Sequence, residues 1–172
     1  MFRLIRWLDY DRTFPQRVYY ITDTDTTSVA KARAFEDQLE NTKRQAPPQT
    51  LPVSAYRIET VPRSRAVGQS WVTTPVTVLR TFRRCLPLVW RNPPDILLCN
   101  GPGTCVPFVM ACILTKFFGC RAPRIIYVES FARVKSLSFT GRLLYPLADR
   151  FVVQWPDLIA RYPHAEYRGI LV

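Results

Sequence analysis

The chain has 172 residues, 48% of them hydrophobic and 13% aromatic, enough to bury a proper core, and a single domain over 1–172 is expected. A formal net charge of +11, from 24 Lys and Arg against 13 Asp and Glu, implies an anionic partner: nucleic acid, a phospholipid surface or a phosphorylated substrate. The basic residues are scattered, with clusters at Arg63 and Arg65, at Arg80, Arg83 and Arg84, and at Arg121 and Arg124; no Lys/Arg-rich tail or nucleic-acid motif accompanies them, so nucleic acid ranks last.

Residues 1–8 (MFRLIRWL) do not read as a secretory signal, because Arg3 and Arg6 interrupt the apolar residues. Residues 1–7 read as a helical face, 17–22 (RVYYIT) as a strand, and 27–39 as a helix capped near Thr26 or Thr27. The Asp23-Thr24-Asp25 turn either touches a sugar or caps that helix; capping is preferred, and its carboxylates lack the spacing of a metal site. A proline-containing loop, 41–52, leads into the strand 55–60 (AYRIET). The segment 69–91 is helical in spacing but contains Pro75 and Pro87, which predicts two pieces or a kink. In it Trp71, Val72, Val76, Leu79, Phe82, Leu86 and Trp90 interleave with Arg80, Arg83, Arg84 and Arg91, a composition suited to an anionic headgroup layer. Core packing accounts for the same apolar residues and is preferred.

The strand 95–99 breaks at Asn100-Gly101, and an apolar helix pattern resumes over about 105–118. Gly101 and Gly103 let a ligand approach the main chain, and the free N–H groups of the helix start favour an anion such as a phosphate or diphosphate. Plain turn chemistry with Thr104 as a cap is an equal rival for an isolated loop. The longest apolar run, 105–114, contains Pro107 and stops at Lys116, short of the ~20 residues that span a bilayer. A strand 124–128 (RIIYV), a helix 140–148, a strand 150–154, a short helix 156–162 and a strand 166–171 complete the alternation. Such a pattern predicts an α/β fold whose parallel sheet is covered on both faces, with ligands at the carboxyl ends of the strands.

Segments 22–25, 100–104 and 129–133 would meet at that edge. Glu129 ends an apolar strand, where a carboxylate must face the cleft or be hydrogen-bonded; it either serves the chemistry, as a sugar ligand or base, or pairs with Arg133 or Lys135. Arg63 and Arg65 can clamp a diphosphate as guanidinium forks or sit in a solvated loop, and Arg133 and Lys135 have the same two readings. Cys85, Cys99, Cys105, Cys112 and Cys120 are odd in number and lie mostly in apolar runs, as small core residues of a reducing compartment. No metal-ligand spacing is present, and the single histidine, His164, is assigned to a solvated loop.

Four segments in this order, VPRSRAVGQS (61–70), LLCNGPGTCVP (97–107), YVESFARVKSLS (127–138) and ADRFVVQWPDL (148–158), closely resemble the membrane-anchor subunit of a two-subunit glycosyltransferase. That enzyme adds the second N-acetylglucosamine to dolichyl diphosphate N-acetylglucosamine in asparagine-linked glycosylation. The resemblance implies a Rossmann-like domain, the amino-terminal, acceptor-side half of a GT-B glycosyltransferase, inactive alone. UDP-GlcNAc would be bound through a catalytic partner in a heterodimer, with no cofactor held by this chain. It implies the cytosolic face of the endoplasmic reticulum membrane and nuclear envelope. It also implies an acceptor site of Asn100, Gly101, Gly103, Thr104, Arg63, Arg65, Ser130, Arg133 and Lys135, with Glu129 as catalytic candidate. Partner contact would come from the carboxyl end, at Tyr162, Tyr167, Gly169, Ile170, Leu171 and Val172.

The family normally begins with a membrane-spanning helix, a first strand and a GSGGHT-type glycine loop, and Met1 aligns within the helix that follows. The chain on its own is therefore expected to expose apolar edges and to be poorly soluble. The alternative is a stand-alone Rossmann-type nucleotide- or phosphate-binding enzyme. It lacks support from an acidic ribose-binding residue after a dinucleotide glycine motif or from an activated nucleophile.

Overall fold

The computed structural model describes residues 5, 6, 8, 10, 13–45, 55–64, 70, 72–101, 103–119, 121 and 123–171, which fall into two compact units, Met1–Pro62 and Arg63–Val172. The 1–7 helical face expected from the sequence lies largely outside them. In the first unit β1 (Gln16–Thr22) and β2 (Ala55–Val61) pair in parallel, with Gln16 opposite Ala55 and Thr22 opposite Val61. Between them in the chain comes α1 (Thr26–Gln45). It runs past the expected end at Leu39 because nothing from Glu40 to Gln45 breaks a helix; the prolines start at Pro47. Asp25, rather than Thr26 or Thr27, caps it: Oδ1 accepts from the Ser28 N–H at 2.9 Å and Oδ2 from Ser28 Oγ at 2.7 Å. A carboxylate at this end also complements the helix dipole.

On the inner face of α1, Ala32 and Glu36 are buried one turn apart. Glu36 reaches β1, accepting from Arg17 Nε at 2.8 Å and Nη2 at 2.5 Å and from the Tyr19 hydroxyl at 2.6 Å. Arg17 and Tyr19 are two residues apart and therefore on one face of the strand. The Glu36 hydrogen bond raises the Arg17 pKa, and burial followed by Glu36 raises that of the Tyr19 phenol.

The second unit is a four-stranded parallel sheet in the order β3 (Ile96–Asn100), β4 (Arg124–Val128), β5 (Arg150–Val153), β6 (Ala165–Tyr167). The registers put Ile96 opposite Arg124, Ile126 opposite Arg150 and Phe151 opposite Ala165. Each unit carries a parallel sheet with helices in its connections, the α/β pattern expected of a Rossmann-like chain, and the described strands fall into two sheets where one was expected. The core of the second unit centres on β4 and β5, where the Tyr127 and Phe151 rings stack at 4.8 Å.

The helix before β3, α2 (Thr74–Arg91), is one continuous piece despite its prolines. Pro75 sits in the first turn, where no N–H is needed, and Pro87 is exposed, so the Arg83 carbonyl it leaves free is within reach of water. Helix α2 packs on α3 (Cys105–Phe117), whose Pro107, Phe108, Val109, Ala111, Cys112 and Thr115 are buried and which ends at Gly119, φ +79°. The next helix, α4 (Phe139–Leu144), is shorter than the expected 140–148, because Pro146 supplies no N–H and disfavours helix at Tyr145. A single 3₁₀ turn, Pro156–Leu158, replaces the expected 156–162 helix. Strand β6 stops at Tyr167, before the expected Leu171, and Gly169, φ +81°, turns the chain away. No helix among the described residues is long and apolar enough to cross a membrane.

Candidate functional site

Because β3, β4 and β5 are parallel, the residues that follow them gather at one edge of the sheet. After β3 the chain turns through Gly101, φ +74°, a conformation open to glycine at little cost, and enters α3 at Thr104. A Cβ on Gly101 would stand 3.9 Å from Ser130 Cβ, and one on Gly103 would stand 3.9 Å from Thr140 Oγ1. The turn thus lies against both ends of the β4–α4 connection. Thr104 occupies the N-cap position, yet its side chain makes no capping hydrogen bond, so the expected Thr cap is not formed.

Glu129, directly after β4, has no exposed surface. Its Oε1 accepts from the Ser130 N–H at 2.8 Å, and its Oε2 accepts from the N–H and Oγ of Ser138 at 2.9 and 3.0 Å. Of the two expected placements, cleft-facing or hydrogen-bonded, the hydrogen-bonded one is formed, and no ion pair with Arg133 or Lys135 accompanies it. The hydrogen bonds of the 130–138 connection satisfy the carboxylate instead. Ser138 also caps α4, its Oγ accepting from the Gly141 N–H at 2.9 Å, and it stands 3.3 Å from the Tyr127 hydroxyl, whose pKa burial raises.

Gln154, which the sequence reading passed over, is buried directly after β5 and donates from Nε2 to the Glu129 carbonyl at 2.9 Å. Its Oε1 accepts from the Leu171 N–H at 3.3 Å, joining the carboxyl-terminal segment to this edge. The Trp155 indole N–H donates to the Phe131 carbonyl at 2.7 Å, with the two rings 5.1 Å apart. An amide and an indole immediately after an apolar strand were the only sequence signals for this framework.

The structure therefore brings Asn100, Gly101, Gly103, Thr104, Glu129 and Ser130 to one edge. Arg133 and Lys135 are exposed on the adjoining connection, and Arg63 is exposed at the start of the second unit; among the described residues none of the three has a carboxylate within ion-pair distance. Arg65 and Val172 lie outside the described residues. Of the expected partner-binding residues, Tyr162 packs edge-on against Tyr145 at 5.5 Å, Leu171 is held by Gln154, and Tyr167 and Ile170 are exposed. His164 is exposed between the 3₁₀ turn and β6.

The thiols of Cys85, Cys99 and Cys112 are held protonated. Burial pushes Cys85 and Cys112 up to about 12, and the Cys105 hydrogen bond, with burial, pushes Cys99 well up. They behave as core residues and not as nucleophiles. Among the described residues no group of three or more His, Cys, Asp or Glu side chains could hold a metal ion.

The family described as "Oligosaccharide biosynthesis protein Alg14 like" matches residues 1–171. The "UDP-N-acetylglucosamine transferase subunit alg14" of Schizosaccharomyces pombe is 44% identical, over 99% of this chain and 76% of its own length. The protein named "UDP-N-acetylglucosamine transferase subunit ALG14" from Homo sapiens is 42% identical over 92% of this chain and 71% of its own. The one of that name from Yarrowia lipolytica is 40% identical over 100% and 74%. These relatives favour a transferase subunit over a stand-alone nucleotide-binding enzyme. With the glycine turn and the YVES connection in place at the edge of a parallel α/β sheet, the chain belongs to the Alg14 family of oligosaccharide biosynthesis proteins.

Proposed function

We propose that this chain is the acceptor-side subunit of a UDP-N-acetylglucosamine transferase, adding the second GlcNAc to dolichyl diphosphate GlcNAc at the cytosolic face of the endoplasmic reticulum membrane and nuclear envelope. A separate catalytic subunit binds UDP-GlcNAc and completes the site as a heterodimer. The observation that carries this reading is the turn of Gly101 against Ser130 and of Gly103 against Thr140, at the start of a 13-residue helix whose N-cap side chain makes no capping bond. Backbone N–H groups at a helix start hold phosphate oxygens without a side-chain charge, which suits a diphosphate whose other end is lipid. Arg63, Arg65, Arg133 and Lys135 supply further positive charge. Glu129, enclosed by Ser130 and Ser138, acts as a positioning residue that fixes the 130–138 connection beside the acceptor. The exposed Tyr167 and Ile170, with the segment that Gln154 tethers, form the contact with the catalytic subunit.

Co-expression with a catalytic subunit, followed by transfer from UDP-GlcNAc to a short-chain lipid diphosphate acceptor, tests the proposal. The pair should transfer GlcNAc and each chain alone should not. Transfer by this chain alone, or none by the copurified pair, would overturn it.

A further inference from the structure

Helix α2 has two apolar stripes, and among the described residues only one is buried. Thr81, Cys85 and Val89, four residues apart, are buried. On its outer side Val76 is 70% exposed, Leu79 59% and Trp90 46%, with Val72, 85% exposed, just before the helix. Single exposed apolar residues are ordinary, but a stripe at helical spacing is not. At the end of α3, Phe117 is 83% and Phe118 65% exposed, and the Phe118 ring lies 5.5 Å from that of Trp90, so the apolar surface runs from one helix to the other.

Guanidinium groups flank the stripe. Arg80, Arg83, Arg84 and Arg91 are exposed, and among the described residues no carboxylate lies within ion-pair distance of them. No Asp or Glu occurs between Glu59 and Asp95. A shallow groove of about 470 Å³ lined by Val76, Leu79, Arg80, Arg83 and Arg84 mixes both chemistries at one spot. Core packing, the reading preferred for this segment from sequence, fails for the outer stripe, because those residues face solvent. Trp71 lies outside the described residues.

We infer that the outer face of α2, extended by Phe117 and Phe118, is a membrane-docking surface for a bilayer rich in anionic lipid. The apolar side chains enter the boundary between headgroups and acyl chains, and the arginines pair with lipid phosphates and carboxylates around them. A fluid anionic surface suits this face better than a protein does. It presents charge and apolar area but almost no directional polar groups to set a docking register. The inference rests on the reading that the chain works at a membrane, and it adds the surface that makes contact.

The test is flotation of the full chain with phosphatidylcholine vesicles with or without phosphatidylserine. The chain should float with the anionic vesicles, float far less with neutral ones, and be released as salt rises. Arg80→Gln/Arg83→Gln/Arg84→Gln should weaken vesicle binding on the order of a hundredfold. Val76→Ser/Leu79→Ser should weaken it at every salt concentration. Lys31→Gln/Arg33→Gln, on exposed positions of α1, should leave it unchanged. The salt series on the native chain decides the matter even if a variant misfolds.

Failure of the native chain to float at low salt, equal flotation of native and arginine variants, or loss of flotation on adding the catalytic subunit would each overturn the inference. In a transfer assay with a water-soluble acceptor and no vesicles, the arginine variant should match the native pair, and its failure there would assign the face to acceptor or partner. A native chain that floats in a pair unable to transfer would overturn the proposed function and leave the docking surface standing.

Discussion

Glu129 and Gly141 leave no room between them: a Cβ added to the glycine would stand 2.2 Å from Glu129 Oε2 and 3.0 Å from Ser138 Oγ. The contact seats a buried carboxylate on the first turn of α4, and it exists only because residue 141 has no side chain. Gly141 lies outside the left-handed region, so alanine suits its backbone and would be the better helix former. Gly141→Ala is nevertheless expected to destabilise the protein by about 1–3 kcal/mol, through crowding and displacement of the carboxylate from its donors. Urea denaturation reads the change. An unaltered midpoint would mean that the carboxylate has another seat.

If Glu129 acts through the 130–138 connection, Glu129 and Ser138 form one unit. Glu129→Gln replaces one acceptor oxygen with a donor facing N–H groups, and Ser138→Ala removes both the cap of α4 and one donor to the carboxylate. Each should cost about 1–2 kcal/mol of stability and raise the acceptor KM in the reconstituted pair. The double variant should fall short of their sum by at least about 0.5 kcal/mol. Additive effects, with Glu129→Gln lowering kcat alone, would instead make Glu129 a base.

Gly101 and Gly119 separate backbone strain from ligand contact. Both have positive φ, +74° and +79°, so Gly→Ala at either costs about 1–2 kcal/mol. Nothing stands within 4 Å of a Cβ on Gly119, whereas Gly101 borders Ser130 at the proposed diphosphate site. Only Gly101→Ala should raise the KM for the lipid diphosphate acceptor, with the two variants matched in stability. Equal KM changes would remove Gly101 from the acceptor site.

Legibility followed the local character of each signal. The strand 124–128 was readable because RIIYV has no polar residue inside it, and the glycine turn because Asn100-Gly101 breaks an apolar run. Asp25 as a cap followed from its place after a strand, while α4 stops short of 148 because Pro146, inside the expected helix, supplies no N–H and disfavours helix at Tyr145. That Glu129 must be hydrogen-bonded or face the cleft was legible from its place after an apolar strand, but its partners were not: Ser138 is nine residues away, and the glycine that admits it is twelve away. Glu36 is the same case. It looks like one more charge on a polar helix, and its burial depends on Arg17 and Tyr19 presenting donors on one face of β1.

Alkaline pH should unfold this protein before its arginines titrate. Burial pushes Tyr10 from 10.0 to about 12, and Cys85 and Cys112 from 9.0 to about 12; Tyr19, Tyr127 and Cys99 shift in the same direction. In each, the fold favours the neutral, protonated form. A group whose folded pKa is raised contributes its full stabilisation below the unfolded value and loses it as pH climbs through the folded one. Stability should therefore be insensitive to these groups below about pH 9 and fall between about pH 9 and pH 12, thiols first and phenols next. Urea midpoints across that range, with tyrosinate absorbance in parallel, measure it. Cys85→Ala/Cys112→Ala should flatten the portion of the slope between about pH 9 and 10, because two of the thiols that bind protons more tightly in the folded state are gone. An unchanged slope in that variant would place the alkaline sensitivity elsewhere.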